Sequence, residues 1–123
     1  HNVVNFCTQI AYEMGCNPII FVGVDLAYTG NQQYAPGVVP NAKLEKGNLF
    51  HGGTLEKDTL PKTDIEGNQV LTLWKWVAES EWIGDFAKDH PEVILINATE
   101  GGLGFPGVEN RPLSQVIEDH LRK

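Results

Sequence analysis

Apolar residues in this chain follow two kinds of pattern, one helical and one continuous. Val3, Phe6, Cys7, Ile10, Ala11 and Met14 recur at i, i+3, i+4 and i+7 spacing. Asn2 stands where a helix cap would, and Gly15 stands where a helix would stop. The spacing therefore predicts a helix over about Val3–Met14 with a single apolar face. Pro18-Ile19-Ile20-Phe21-Val22-Gly23-Val24 is different: it is β-branched and unbroken by polar positions. Such a run suits a strand buried on both faces of a parallel sheet, with Pro18 at its start where no ladder donor is needed. Glu92-Val93-Ile94-Leu95-Ile96-Asn97 predicts a second buried strand. Leu73, Trp76, Val77, Ile83 and Ala87 place a helix over about Leu73–Lys88, weakened by Gly84. Thr63-Asp64-Ile65 and Gln69-Val70-Leu71-Thr72 flank Glu66-Gly67-Asn68 and read as a β-hairpin over 63–72. Pro112 fits the first turn of a short last helix, Leu113–Leu121.

Between these elements lie two stretches without period. Residues 25–62 are rich in Gly, Pro, Asn, Gln and Tyr, and a loop of that length in a compact domain is commonly functional or disordered. Glu100 to Gly107 is a glycine-rich loop. Helices alternating with buried strands predict an α/β fold, a Rossmann-like open and mostly parallel sheet with a hairpin insertion. Two buried strands make an incomplete sheet, and the chain begins inside a helix. The expectation is that residues 1–123 form the C-terminal part of a larger domain, or complete the sheet by forming an oligomer.

Composition narrows the partners. The chain has 123 residues, 41% of them hydrophobic, room for one modest domain with a real core. Its formal net charge of -7 disfavours nucleic acid and anionic membranes as partners, since both are held by clustered Lys and Arg. The longest apolar run, Ile19 to Val24, falls far short of the roughly 20 residues that span a bilayer. Cys7 and Cys16 lack the C-x-x-C spacing and read as reduced, buried small hydrophobes, which points to the cytoplasm. His1, His51, His90 and His120 are scattered, without zinc-ligand spacing, and no metal site is expected.

In open α/β sheets, ligands collect beyond the carboxyl ends of the strands. Asp25 to Tyr28 and Ala98 to Gly107 occupy those places. Asp25 follows a buried strand directly and can bond a ribose hydroxyl, hold a metal or cap the next element. Tyr28 and Tyr34 carry hydroxyls able to donate to a phosphate, and Thr29 adds a neutral hydrogen-bonding group. His51, between Phe50 and Gly52-Gly53, titrates in the range of a general base. Glu100, with Gly101 and Gly102, can orient a hydroxyl. His90, at a helix end before Pro91, is placed to contact the last helical carbonyls. Gly102-Leu103-Gly104-Phe105-Pro106-Gly107 spells G-x-G-x-x-G, but Pro106 interrupts it and no helix opens on it, so it is no dinucleotide fingerprint.

Taken together, "GCNPIIFVGVDLAYTG" and "VILINATEGG", separated by a hairpin and a Trp-rich helix and followed by "LSQVIEDHL", resemble the motility accessory factor (Maf) family. Its members share a domain with 6-hydroxymethylpterin diphosphokinase. The resemblance implies a sialyltransferase-like Rossmann fold and transfer of a nonulosonic acid from a CMP-linked donor to a protein hydroxyl, as on flagellin. It implies that Gly23 and Asp25 contact the donor, that Tyr28 and Tyr34 bind its phosphate, and that His51 deprotonates the acceptor. No tightly bound cofactor is implied. One departure stands out: many members carry His-Ala where this chain has Tyr34-Ala35. Two other readings remain open. One is diphosphate transfer from ATP to a hydroxymethylpterin, which would need Mg²⁺; the other is a non-catalytic binding or assembly module.

Overall fold

A computed structural model of the chain describes residues 3–28 and 59–121. In chain order the elements are α1 (Val3–Glu13), β1 (Ile19–Phe21), β2 (Thr59–Thr63), β3 (Gln69–Leu73), α2 (Trp74–Asp89), β4 (Leu95–Asn97), β5 (Glu109–Asn110) and α3 (Leu113–Val116). A π-helical turn, Ile117–Leu121, continues α3. The strands form an open three-stranded parallel sheet in the order β1-β4-β5, together with the antiparallel hairpin β2-β3. The fold is mixed α/β, as the run of buried strands and amphipathic helices predicts.

The continuous apolar runs are explained by a sheet covered on both faces. Ile19 faces Leu95 and Ile20 faces Ile96 across the β1–β4 ladder. Successive side chains point to opposite faces. Ile19, Phe21 and Leu95 therefore join Ile83 and Phe86 of α2, with Phe105 and Val108, in one cluster. Ile96 and Ala98 join Val116 of α3 in the other, with Ile20 and Leu113 against them. The buried runs are nonetheless shorter than the sequence suggests. Val22 and Ile94 are about half exposed, at 56% and 51%, so each strand keeps only its central residues covered.

The first helix corrects a second expectation. Its apolar stripe faces outward: Val3, Phe6 and Met14 are 74%, 66% and 75% exposed, and Ile10 is 41% exposed. Asn5 and Thr8 are the buried residues instead, with Val4, Ala11 and Tyr12 packed on the α2 cluster. Thr8 tolerates this because its hydroxyl donates to the Val4 carbonyl at 2.7 Å. The periodicity identifies a face correctly but does not say what that face meets, and no described residue covers it. β1, the next element, forms one edge of the sheet. Cys7 and Cys16 are free thiols, but both are exposed rather than buried.

Local signals hold better. Gly15 ends α1 at φ +80°, and the Cys16 N–H reaches back to the Ala11 carbonyl at 3.0 Å. In the hairpin turn, Asp64 Oδ1 accepts from the N–H groups of Glu66 (2.9 Å) and Asn68 (2.8 Å), replacing a backbone turn with a side chain. The hairpin lies earlier than the sequence places it, with its first strand at Thr59–Thr63. His90 closes α2 through its backbone N–H, which bonds the Phe86 carbonyl at 3.0 Å, while its ring turns to Glu92 rather than to the last helical carbonyls. No helix among the described residues is long and apolar enough to cross a membrane.

Candidate functional site

Three segments are stitched together beyond the carboxyl ends of β1 and β4. The turn after β1 is tied to the loop after β4 twice: the Val24 N–H donates to Thr99 Oγ1 at 3.1 Å, and the Leu103 N–H to the Asp25 carbonyl at 2.9 Å. The hairpin turn joins them through the Ile65 N–H on the Gly102 carbonyl at 3.0 Å. Thr72, fully buried in β3, donates its hydroxyl to the Leu26 carbonyl at 2.6 Å. Two of these loops hold non-glycine residues in the left-handed region, Leu26 at φ +54° and Glu100 at φ +64°. Left-handed backbone costs a residue with a Cβ on the order of 1 kcal/mol or more. The surrounding hydrogen bonds hold both in place.

Gly102 explains why the loop is rich in glycine. It sits at φ +74°, and a Cβ there would stand 2.5 Å from the Asp25 Cα. Only a hydrogen fits, so the two loops touch backbone to backbone. Gly101 is roomier: a Cβ on it would lie 3.8 Å from Asp25 Oδ1. The Asp25 carboxylate thus stands beside the Gly101-Gly102 step. It is half-buried, and burial raises its pKa above the ordinary 3.8. A carboxylate that is partly desolvated without a balancing cation is costly unless a ligand bonds to it.

A hollow of about 200 Å³ opens next to this step, lined by Ile65, Glu66, Asn97, Glu100, Asn110, Arg111 and Pro112. Asn97 is its best-held member, 1% exposed at the end of β4. Its Oδ1 accepts from the Thr99 N–H at 3.2 Å, and its Nδ2 donates to Asn110 Oδ1 at 2.9 Å. Arg111 is already neutralised. It meets Glu109 at 2.6 Å and Asp119 at 2.9 Å, contacts that raise its pKa further.

The residues expected to act separate into three groups. Gly23, Asp25, Glu100, Gly101 and Gly102 lie on the two loops joined here, and Gly23 is in the left-handed region at φ +74°. Tyr28 lies apart from the hollow: it is 3% exposed, its ring packs on Trp76 at 4.8 Å and its backbone bridges to Leu71. Thr29, Tyr34 and His51 lie outside the described residues. Sequence reasoning missed Asn97, Asn110 and Glu66. An Asn closing the apolar run Ile94-Leu95-Ile96 was the available signal for the first. Asn110 lies on β5, a two-residue strand with no hydrophobic pattern to betray it. Among the described residues no group of three His, Cys, Asp or Glu side chains is placed to hold a metal. Compared with known proteins, the chain matches no family model, no curated protein and no solved structure.

Proposed function

We propose that the chain binds a nucleotide-activated sugar at the carboxyl edge of its parallel sheet, as the donor site of a glycosyltransferase. The type that suits it best is the motility accessory factor type, transferring a nonulosonic acid from a CMP-linked donor to a Ser or Thr hydroxyl of a protein such as flagellin. The observation that carries the reading is Asp25. A half-buried carboxylate, raised in pKa by burial, stands beside a tight Gly101-Gly102 step where parallel sheets bind ligands.

In this reading Asp25 accepts from the donor's hydroxyl or base, and the loop glycines let backbone approach it closely. Tyr34 stabilises the departing phosphate, and His51 takes the acceptor's proton. Tyr28, packed on Trp76 and bridged to Leu71, anchors the start of the segment that carries both. The protein works in the cytoplasm, where activated sugars are made.

Calorimetric titration of the chain with CMP and a CMP-sugar tests this. Saturable binding that weakens by at least about tenfold in Asp25→Ala is expected, the loss of one hydrogen bond to a charged group. Absence of binding, or equal binding in the variant, would reject the site.

A further inference from the structure

Two asparagines, two glutamates and a spent arginine share the hollow beyond β4, and their hydrogen-bonding capacity is unequal. The Asn97 oxygen accepts from the Thr99 N–H, and its amide group donates to Asn110. Asn110 Oδ1 takes that bond, no described residue accepts from the Asn110 Nδ2 group, and Asn110 lines the hollow. Glu66 and Glu100 supply carboxylates, which only accept. The guanidinium of Arg111 is held between Glu109 and Asp119, so it offers little positive charge to a ligand. A phosphate entering here would meet two carboxylates with no uncompensated cation. A vicinal diol is the complementary group, since each hydroxyl can donate to a carboxylate and accept from an amide. The size agrees. At about 200 Å³ the hollow is smaller than the roughly 300 Å³ at which pockets for drug-sized ligands begin, and it suits one ring.

Two backbone features show that the arrangement is built. A Cβ at Gly104 would lie 2.7 Å from Ile65 Cγ2, so glycine there makes room for Ile65, one wall of the hollow. Glu100 has a left-handed backbone at φ +64° between Thr99 and Gly101, a position glycine would occupy without strain. Among the described residues its side chain has no hydrogen-bond or ion-pair partner.

We infer that this hollow is a subsite for the vicinal diol of a single sugar ring, gripped by Glu100, Glu66 and the Asn110 amide, with phosphate excluded. This deepens the donor reading and rests on it for the position of the rest of the donor, which would pass Asp25. Titrating the isotopically labelled chain with methyl β-D-ribofuranoside, its 2,3-dideoxy analogue and inorganic phosphate tests it, following the side-chain amide signals of Asn97 and Asn110. The riboside should shift both signals saturably, and the other two should not. Asn110→Asp keeps the acceptor for Asn97 but removes the free donor, and should weaken the riboside about tenfold. Glu100→Gly should weaken it as much while raising the thermal midpoint, which separates lost binding from lost folding.

Shifts by phosphate, equal shifts by the dideoxy analogue, or unchanged affinity in both variants would overturn the inference. CMP binding that depends on Asp25 but not on the ribose hydroxyls would overturn it while sparing the donor reading. Riboside binding without CMP binding would do the reverse.

Discussion

The two ends of the same parallel strands are built to opposite standards. At the amino end, polar groups find partners within the protein. Asn17 spans the gap between the chain leading into β1 and that leading into β4, its Oδ1 accepting from the Ile94 N–H at 2.9 Å and its Nδ2 donating to the Glu92 carbonyl at 3.3 Å. The Glu92 carboxylate takes the Tyr12 hydroxyl at 3.0 Å and faces His90 Nδ1 at 3.5 Å. The His90 ring sits on Tyr12 and Phe86, with centroids 4.2 and 4.3 Å away. At the carboxyl end, backbone is bent into left-handed turns, and among the described residues the carboxylates of Asp25 and Glu100 have no such partners. One end locks the fold. The other, in the proposed reading, leaves hydrogen bonds for a ligand to complete.

The carboxylates record the contrast in the direction of their pKa. A backbone N–H and the Tyr12 hydroxyl, helped by His90, hold Glu92 below its ordinary 4.5. The same contact raises the Tyr12 pKa. Burial instead pushes Asp25 above 3.8. A depressed folded-state pKa gives stability that is present above the unfolded value and lost as pH falls through the folded one. A raised one works the other way for a carboxyl. The folded state then binds the proton more tightly, so the contribution present at low pH is lost as pH rises through the folded pKa. Glu92 therefore favours the fold at neutral pH, and Asp25 opposes it.

Substitutions can break this comparison in order of effect. Gly102→Ala should be the most damaging. It forces a side chain into left-handed backbone and against Asp25, costing about 3 kcal/mol or more in denaturant unfolding. A loss below about 1 kcal/mol would mean that the two loops are not held together as described. Asn17→Ala removes two hydrogen bonds at the amino end and should cost about 1–2 kcal/mol while leaving CMP affinity unchanged. A loss of affinity there would erase the division of labour between the ends. Phe6→Ser should fall within about 0.5 kcal/mol, because the ring is 66% exposed, whereas a core aromatic would cost several.

That last substitution marks where sequence reasoning stops. Periodicity groups Phe6 with Val3, Ile10 and Met14 because spacing fixes which side chains share a helix face. Which face turns inward depends on neighbours brought in from afar, here Phe86, which meets Tyr12 of α1 (5.6 Å between centroids), and no local pattern carries that. The strands were legible because Ile19–Phe21 and Leu95–Asn97 are buried on both sides of the sheet. β5 was not, since Glu109 and Asn110 are both exposed and hydrogen-bonding alone recruits them. The site divides the same way. Asp25 and Glu100 follow apolar strands and could be found from that position. Asn110 reaches Asn97 only through a parallel pairing thirteen residues on, which the chain's local chemistry does not announce.

The central claim is that the carboxyl end gives up stability to hold a ligand, and Asp25→Asn tests it most directly. Thermal midpoints of the chain and the variant should be measured from acid to neutral pH, with and without CMP. The variant should be the more stable at pH 7, the difference should vanish where Asp25 is protonated, and CMP should raise the midpoint of the parent more than that of the variant. A variant no more stable than the parent at neutral pH, or one stabilised by CMP to the same extent, would contradict the account.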